Sequence, residues 1–62
     1  MRITIDAKDV ARLLNRSVSQ SQRLLGKIRR AEGKQPRDHV TIDEFCRHTR
    51  LPRKEVERGL KV

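Results

Sequence analysis

Four short helices that include a helix-turn-helix make the fold class this sequence predicts: mainly α, with residues 2–5 and 39–41 available for a minimal two-stranded sheet. Three observations predict it. Apolar side chains recur at helical spacing in separate short runs, such as Val10, Ala11 and Leu14, or Leu24, Leu25 and Ile28. Helix-opening residues stand before the runs. Ser17 is followed three places later by Gln20, and Thr41 by Glu44, so each pair can close a capping box. Helix-ending residues come after them, Asn15, Gly33 and Pro36. Sixty-two residues, 34% of them apolar, suffice for a single domain, 1–62, around one thin core.

Each element has its own justification. Residues 1–5 alternate through Ile3, Thr4 and Ile5, which suits a brief strand or an extended arm. Asp6 and Asp9 mark the start of a first helix over 7–14, with Ala7, Val10, Ala11 and Leu14 inward. Asn15 tolerates a left-handed backbone and ends that helix. Ser17 opens a second helix at once, reaching residue 31 or 32. Its core side is Val18, Ser21, Leu24, Leu25, Ile28 and Ala31; its outward side is Ser19, Gln22, Arg23, Gly26, Lys27 and Arg30. Two helices joined by about three residues form a helix-turn-helix unit. Residues 33–38 make a loop and 39–41 a second short strand. The third helix, 42–48, turns Ile42, Phe45 and Cys46 inward. Leu51 and Pro52 restart the chain as a fourth helix over 53–60, with Val56 and Leu60 on the core side.

An internal repeat is also visible. Ile3-Thr4-Ile5-Asp6 recurs as Val40-Thr41-Ile42-Asp43, and the two copies close on Arg23-Leu24-Leu25 and Arg58-Gly59-Leu60. The pattern suggests two related helical hairpins packed together, with the two apolar tetrads paired as a sheet.

The net charge is +8, and its distribution says more than its size. Residues 1–11 balance Arg2 and Lys8 against Asp6 and Asp9. Residues 12–37 set eight basic side chains against Glu32 alone, whereas residues 38–62 set six against five acids. The excess therefore sits on the second helix and its flanks, the footprint expected for a polyanion. A solvated charged helix face is the alternative reading of the same residues.

For duplex DNA, base readout in the major groove requires donors and acceptors, which Arg, Gln and Ser supply. A helix-turn-helix sets the N-terminal part of its second helix against the bases. Ser19, Gln20, Gln22 and Arg23 occupy that part. Arg23 ranks first among them, and Gln20 is less free if it closes the box with Ser17. Phosphate contacts need only charge and reach, and Arg16, Lys27, Arg30, Lys34 and Arg37 have both. Gly26 lies on the outward face, where alanine would favour the helix by roughly 1 kcal/mol. It is either a place where a phosphodiester backbone passes close or a tolerated glycine.

Residues 5–30 resemble the first half of excisionase-like and MerR-like DNA-binding domains, through Ala11 with Leu14 and then Ser17 with Arg23. The chain is similar too to small helix-turn-helix proteins of bacterial mobile elements. There the matching residues are Gln22-Arg23 and the segment Val40-Thr41-Ile42-Asp43-Glu44-Phe45-Cys46. The resemblance implies a transcriptional regulator or an excision-type accessory factor, working on DNA in a bacterial or phage context. Excisionase-like domains usually carry a β-hairpin wing after the second helix, and this chain offers only a short basic loop.

The sequence-level expectation is thus a sequence-specific double-stranded DNA-binding protein, cytoplasmic and associated with the nucleoid. RNA binding or protein interaction through the same basic face is the alternative. Residues 42–62, with Leu51 and Val62 as exposed apolar groups, could serve a homodimer or a protein partner. Single-stranded RNA is disfavoured because Phe45 is the one aromatic residue. No apolar run is long enough to span a membrane, and the start of the chain lacks the apolar core of a signal peptide. Cys46, the single cysteine, fits a reducing compartment and a core position. His39, Cys46 and His48 match no zinc spacing. No metal, cofactor or enzymatic activity is expected.

Overall fold

The computed structural model describes residues 3–60. In chain order it contains strand β1 (Thr4–Ile5), helix α1 (Ala7–Leu14), helix α2 (Val18–Ala31), strand β2 (Val40–Thr41), helix α3 (Ile42–Thr49) and helix α4 (Arg53–Leu60). The mainly α class, the four helices and the small sheet are as the sequence predicts. The strands pair antiparallel, Thr4 opposite Thr41 and Ile5 opposite Val40. Of the expected strand 2–5, Arg2 lies outside the described residues.

Local chemistry explains where the helices begin and stop. Asp6 caps α1, its carboxylate accepting from the Asp9 amide at 2.9 Å, while Asp9 returns the bond to the Asp6 amide at 3.1 Å. Ser17 and Gln20 do the same for α2, and Thr41 and Glu44 for α3. Each box satisfies donors that a helix start leaves without a partner. Asn15 adopts the left-handed conformation at φ 54° and ends α1. Gly33, at φ 70°, ends α2 in a Schellman arrangement. The Lys34 amide donates to Arg29 O at 2.8 Å and the Gly33 amide to Arg30 O at 3.2 Å.

Every element contributes to one core: Ile5, Val10, Leu25, Ile28, Val40, Ile42, Phe45, Val56 and Leu60 are buried. Two residues assigned inward by periodicity are not there. Val18 is 44% exposed, and Ala31 is exposed as well. They are the first and last residues of α2, at the edges of its packed face, where Val18 borders α1 beside Lys8 and Ala11. Conversely, Asp9 is 4% exposed, held by the Asp6 amide and by Arg12 Nη2 at 2.9 Å. Leu51, expected as an exposed docking residue, is half-buried and packs against the core; Val62 lies outside the described residues.

The repeat is real, but its register differs from the one the tetrads suggest. The capping boxes superpose Asp6 and Asp9 on Thr41 and Glu44, thirty-five positions on rather than thirty-seven. At that offset Asn15 meets Arg50, the two non-glycine residues with positive φ. Val18 and Arg53, the first residues of α2 and α4, also coincide, as do the buried pairs Ser21 with Val56 and Leu25 with Leu60. Ile5 and Val40 become equivalent, and they are the pair facing each other in the sheet. Packing is reciprocal, α1 against α4 and α2 against α3. These are the relations of two helical hairpins joined about an approximate two-fold axis through the sheet.

Candidate nucleic-acid interface

The face of α2 is built from its helical phase. Ser21, Leu25 and Ile28 point into the core, and Ser21 satisfies its buried hydroxyl by donating to Ser17 O at 2.8 Å. With that side fixed, Ser19, Gln22, Arg23, Gly26, Lys27 and Arg30 must point away. They do, lining with Arg16, Gln20 and Leu24 an open trough of about 840 Å³ along the outside of the helix. Its volume would suit a small molecule, but such ligands occupy enclosed, mostly apolar cavities, and this one is open and cationic.

All four expected base-reading residues are therefore brought together. Gln20 does close the capping box: the Ser17 amide donates to its Oε1 at 3.4 Å, and the Gln20 amide donates to Ser17 Oγ at 3.1 Å. Its Oε1 is thereby occupied, and its amide nitrogen is what remains for a ligand. Ser19, Gln22 and Arg23 are exposed and have no partner among the described residues.

The phosphate set divides. Arg16, Lys27 and Arg30 line the trough, and none of them pairs with a carboxylate among the described residues. Arg37 is exposed and without a partner there too, but it lies off the trough, in the loop. Lys34 is committed elsewhere. Its Nζ donates to Glu44 Oε1 and to His39 O, both at 2.7 Å, tying the loop to the start of α3. Arg29 is similarly engaged, Nε donating to Asp38 O at 2.8 Å.

Lys34 has an energetic consequence. Burial alone would raise the Glu44 carboxyl, but Lys34 Nζ and the Thr41 amide and hydroxyl outweigh it and hold the group below its ordinary 4.5. A carboxyl whose folded value is depressed stabilises the fold above its unfolded value and ceases to do so as pH falls through the folded one. Lys34→Ala is expected to lower stability by roughly 1–2 kcal/mol at neutral pH. The variant should also lose less stability than the parent on acidification below about pH 4.5. Urea melts at pH 7 and pH 3 check both; equal stability of variant and parent at pH 7 would refute the role given to the pair.

Elsewhere, several cations meet acids, although Arg50 and Lys54 have no carboxylate partner among the described residues. Arg47 and His48 face Glu32, Arg53 pairs with Asp43 and Glu57, and Arg58 with Glu55. The two-fold relation sharpens the contrast. Gln20, Gln22 and Arg23 on α2 correspond to Glu55, Glu57 and Arg58 on α4. Two neutral amides in one half become two carboxylates in the other, and the matching arginine is paired with one of them. Of the four helices, only α2 carries no acid.

Sequence reasoning did not anticipate Leu24 in the trough wall, nor the commitment of Lys34. The partner of Lys34, Glu44, was legible only as a capping residue. Cys46 is half-buried; burial first, and then the Glu57 carboxylate, push its thiol above the ordinary 9.0, away from the reactive thiolate. Among the described residues no hairpin wing follows α2, and no helix is long and apolar enough to cross a membrane. Comparison with known families, curated proteins and solved structures finds no match to this chain.

Proposed function

We propose that this chain is a sequence-specific double-stranded DNA-binding protein that presents α2 to the major groove. One observation carries the reading. Arg16, Arg23, Lys27 and Arg30 stand together in an acid-free trough beside Ser19 and Gln22, whereas Arg47, Arg53 and Arg58 are engaged by acids. An array of like charges without counter-charges is unfavourable in itself and is relieved by a polyanion. The amide and guanidinium groups among them are the ones that read adenine and guanine edges.

The size of the domain limits how it binds. Its longest dimension is 27 Å, shorter than the ~34 Å between successive major-groove faces of a duplex. Helices α2 and α4 of one molecule therefore cannot occupy successive grooves. One chain reads one short site, and longer sites require a second copy or a protein partner. A role as a regulator or an excision accessory factor acting at the nucleoid follows the resemblance given above.

The test is selection from a random duplex pool at two salt concentrations, followed by binding of parent and Arg23→Ala to the enriched sequence. The variant is expected to lose about 1–3 kcal/mol and to relax preference at one base position. Absence of any enriched sequence, with binding that collapses at higher salt, would reduce the protein to a non-specific polyanion binder. Stronger binding to duplex RNA of equal length would move the reading to RNA.

A further inference from the structure

We infer that Gly26 is where bound DNA comes closest to the backbone of α2, its missing side chain letting the duplex settle between Gln22, Arg23 and Arg30. The inference rests on the function proposed above and adds a positioning residue to it.

A glycine inside a helix weakens it, so its presence calls for a cause. Three causes arise within a chain: a left-handed backbone, a close neighbour, or a helix kink or end. The other two glycines of this protein have one each. Gly33 has φ 70° and ends α2, and a Cβ on Gly59 would come within 2.1 Å of Leu13 Cδ1, where α1 packs on α4. Gly26 has none. Helix α2 runs unbroken from Val18 to Ala31 through it, its φ is not positive, and a Cβ placed on it meets nothing within 4 Å. Nothing inside the molecule needs the glycine.

What surrounds it outside is the trough. Gly26 is three and four residues from Arg23, Gln22 and Arg30, so it sits one turn from each on the outward face. It is the gap in a row of long side chains, at the level where their polar ends converge on a ligand. A bare Cα there lets a phosphate oxygen or a base edge approach the helix, with Cα–H···O contacts in place of a side chain.

The inference predicts opposite signs for stability and binding. Gly26→Ala should raise Tm by about 4–8 °C, because alanine favours the helix and displaces nothing. It should also weaken binding to the selected duplex by about tenfold or more, and Gly26→Leu should weaken it further. Arg23→Ala is measured alongside. If Gly26→Ala melts higher and binds as well as the parent, while Arg23→Ala loses affinity, the inference about Gly26 is overturned and the function of α2 stands. If the parent enriches no duplex sequence, the reading of α2 fails and the inference falls with it. A higher Tm with graded loss from Ala to Leu supports it.

Discussion

Phe45→Ala is expected to leave the chain largely unfolded at 25 °C. Phe45 has no exposed surface, and it lies among buried side chains drawn from both strands and all four helices. Truncating a buried phenylalanine costs about 3–5 kcal/mol, from lost transfer energy together with the cavity left behind. A single core of this size supplies no more than about 3–5 kcal/mol of net stability. The two magnitudes are equal, so the variant has no reserve. The core is too shallow to close around the hole, since the largest side chain in it is the one removed. Far-ultraviolet circular dichroism should show lost helix at 25 °C, with the parent folded under the same conditions. A cooperative melt within a few degrees of the parent's would mean that the cluster is not one core shared by the two halves.

The parts of this fold that were legible in the sequence are those governed by neighbours along the chain. Ser17 with Gln20 and Thr41 with Glu44 announce their helices because a capping box closes within four residues. The ends of α1 and α2 were legible for the same reason, through Asn15 and Gly33, and the start of α4 through Pro52. What was not legible depends on elements that meet across the fold. Lys34 and Arg37 look alike in sequence; one is bonded to Glu44 and His39, the other has no partner among the described residues. Val18 is in phase with the core, yet it is 44% exposed, at the edge of the packing between α1 and α2. The register of the repeat was misplaced because tetrads matched by letter are not the residues with matching roles. Asp6 and Thr41 share a capping function, not a side chain. The trough was legible as a basic helix face with Glu32 as the one nearby acid; that Glu32 turns to Arg47 and His48 was not.

The second large effect expected is on binding, from Gln20→Glu combined with Gln22→Glu. The two-fold relation supplies the design: these are the side chains that α4 carries at the equivalent positions, Glu55 and Glu57. The fold should accept them. A glutamate three residues after Ser17 still closes the capping box, and a carboxylate in the first turn of α2 adds about 0.3–1 kcal/mol against the helix dipole. First-turn acids are absent from α2 and present in the other three helices. That absence fits the proposal that α2 meets an anion. Two carboxylates beside Arg16, Arg23 and Lys27 would neutralise them and face phosphates at close range, a juxtaposition costing several kcal/mol. Affinity for duplex DNA should therefore fall by about a hundredfold or more, while the melting temperature stays equal or rises. The reverse exchange, Glu55→Gln with Glu57→Gln, removes only exposed ion pairs of about 0–1 kcal/mol and should leave affinity within about twofold. Fluorescence anisotropy on one duplex, with melts of all three proteins, measures both quantities. Undiminished binding by the α2 variant would show that the acid-free face is not the surface DNA meets, and a gain from the α4 exchange as large as the loss from the α2 exchange would show that only net charge matters. A loss confined to α2 ties recognition to one of two structurally equivalent helices, distinguished by which carries amides and which carries acids.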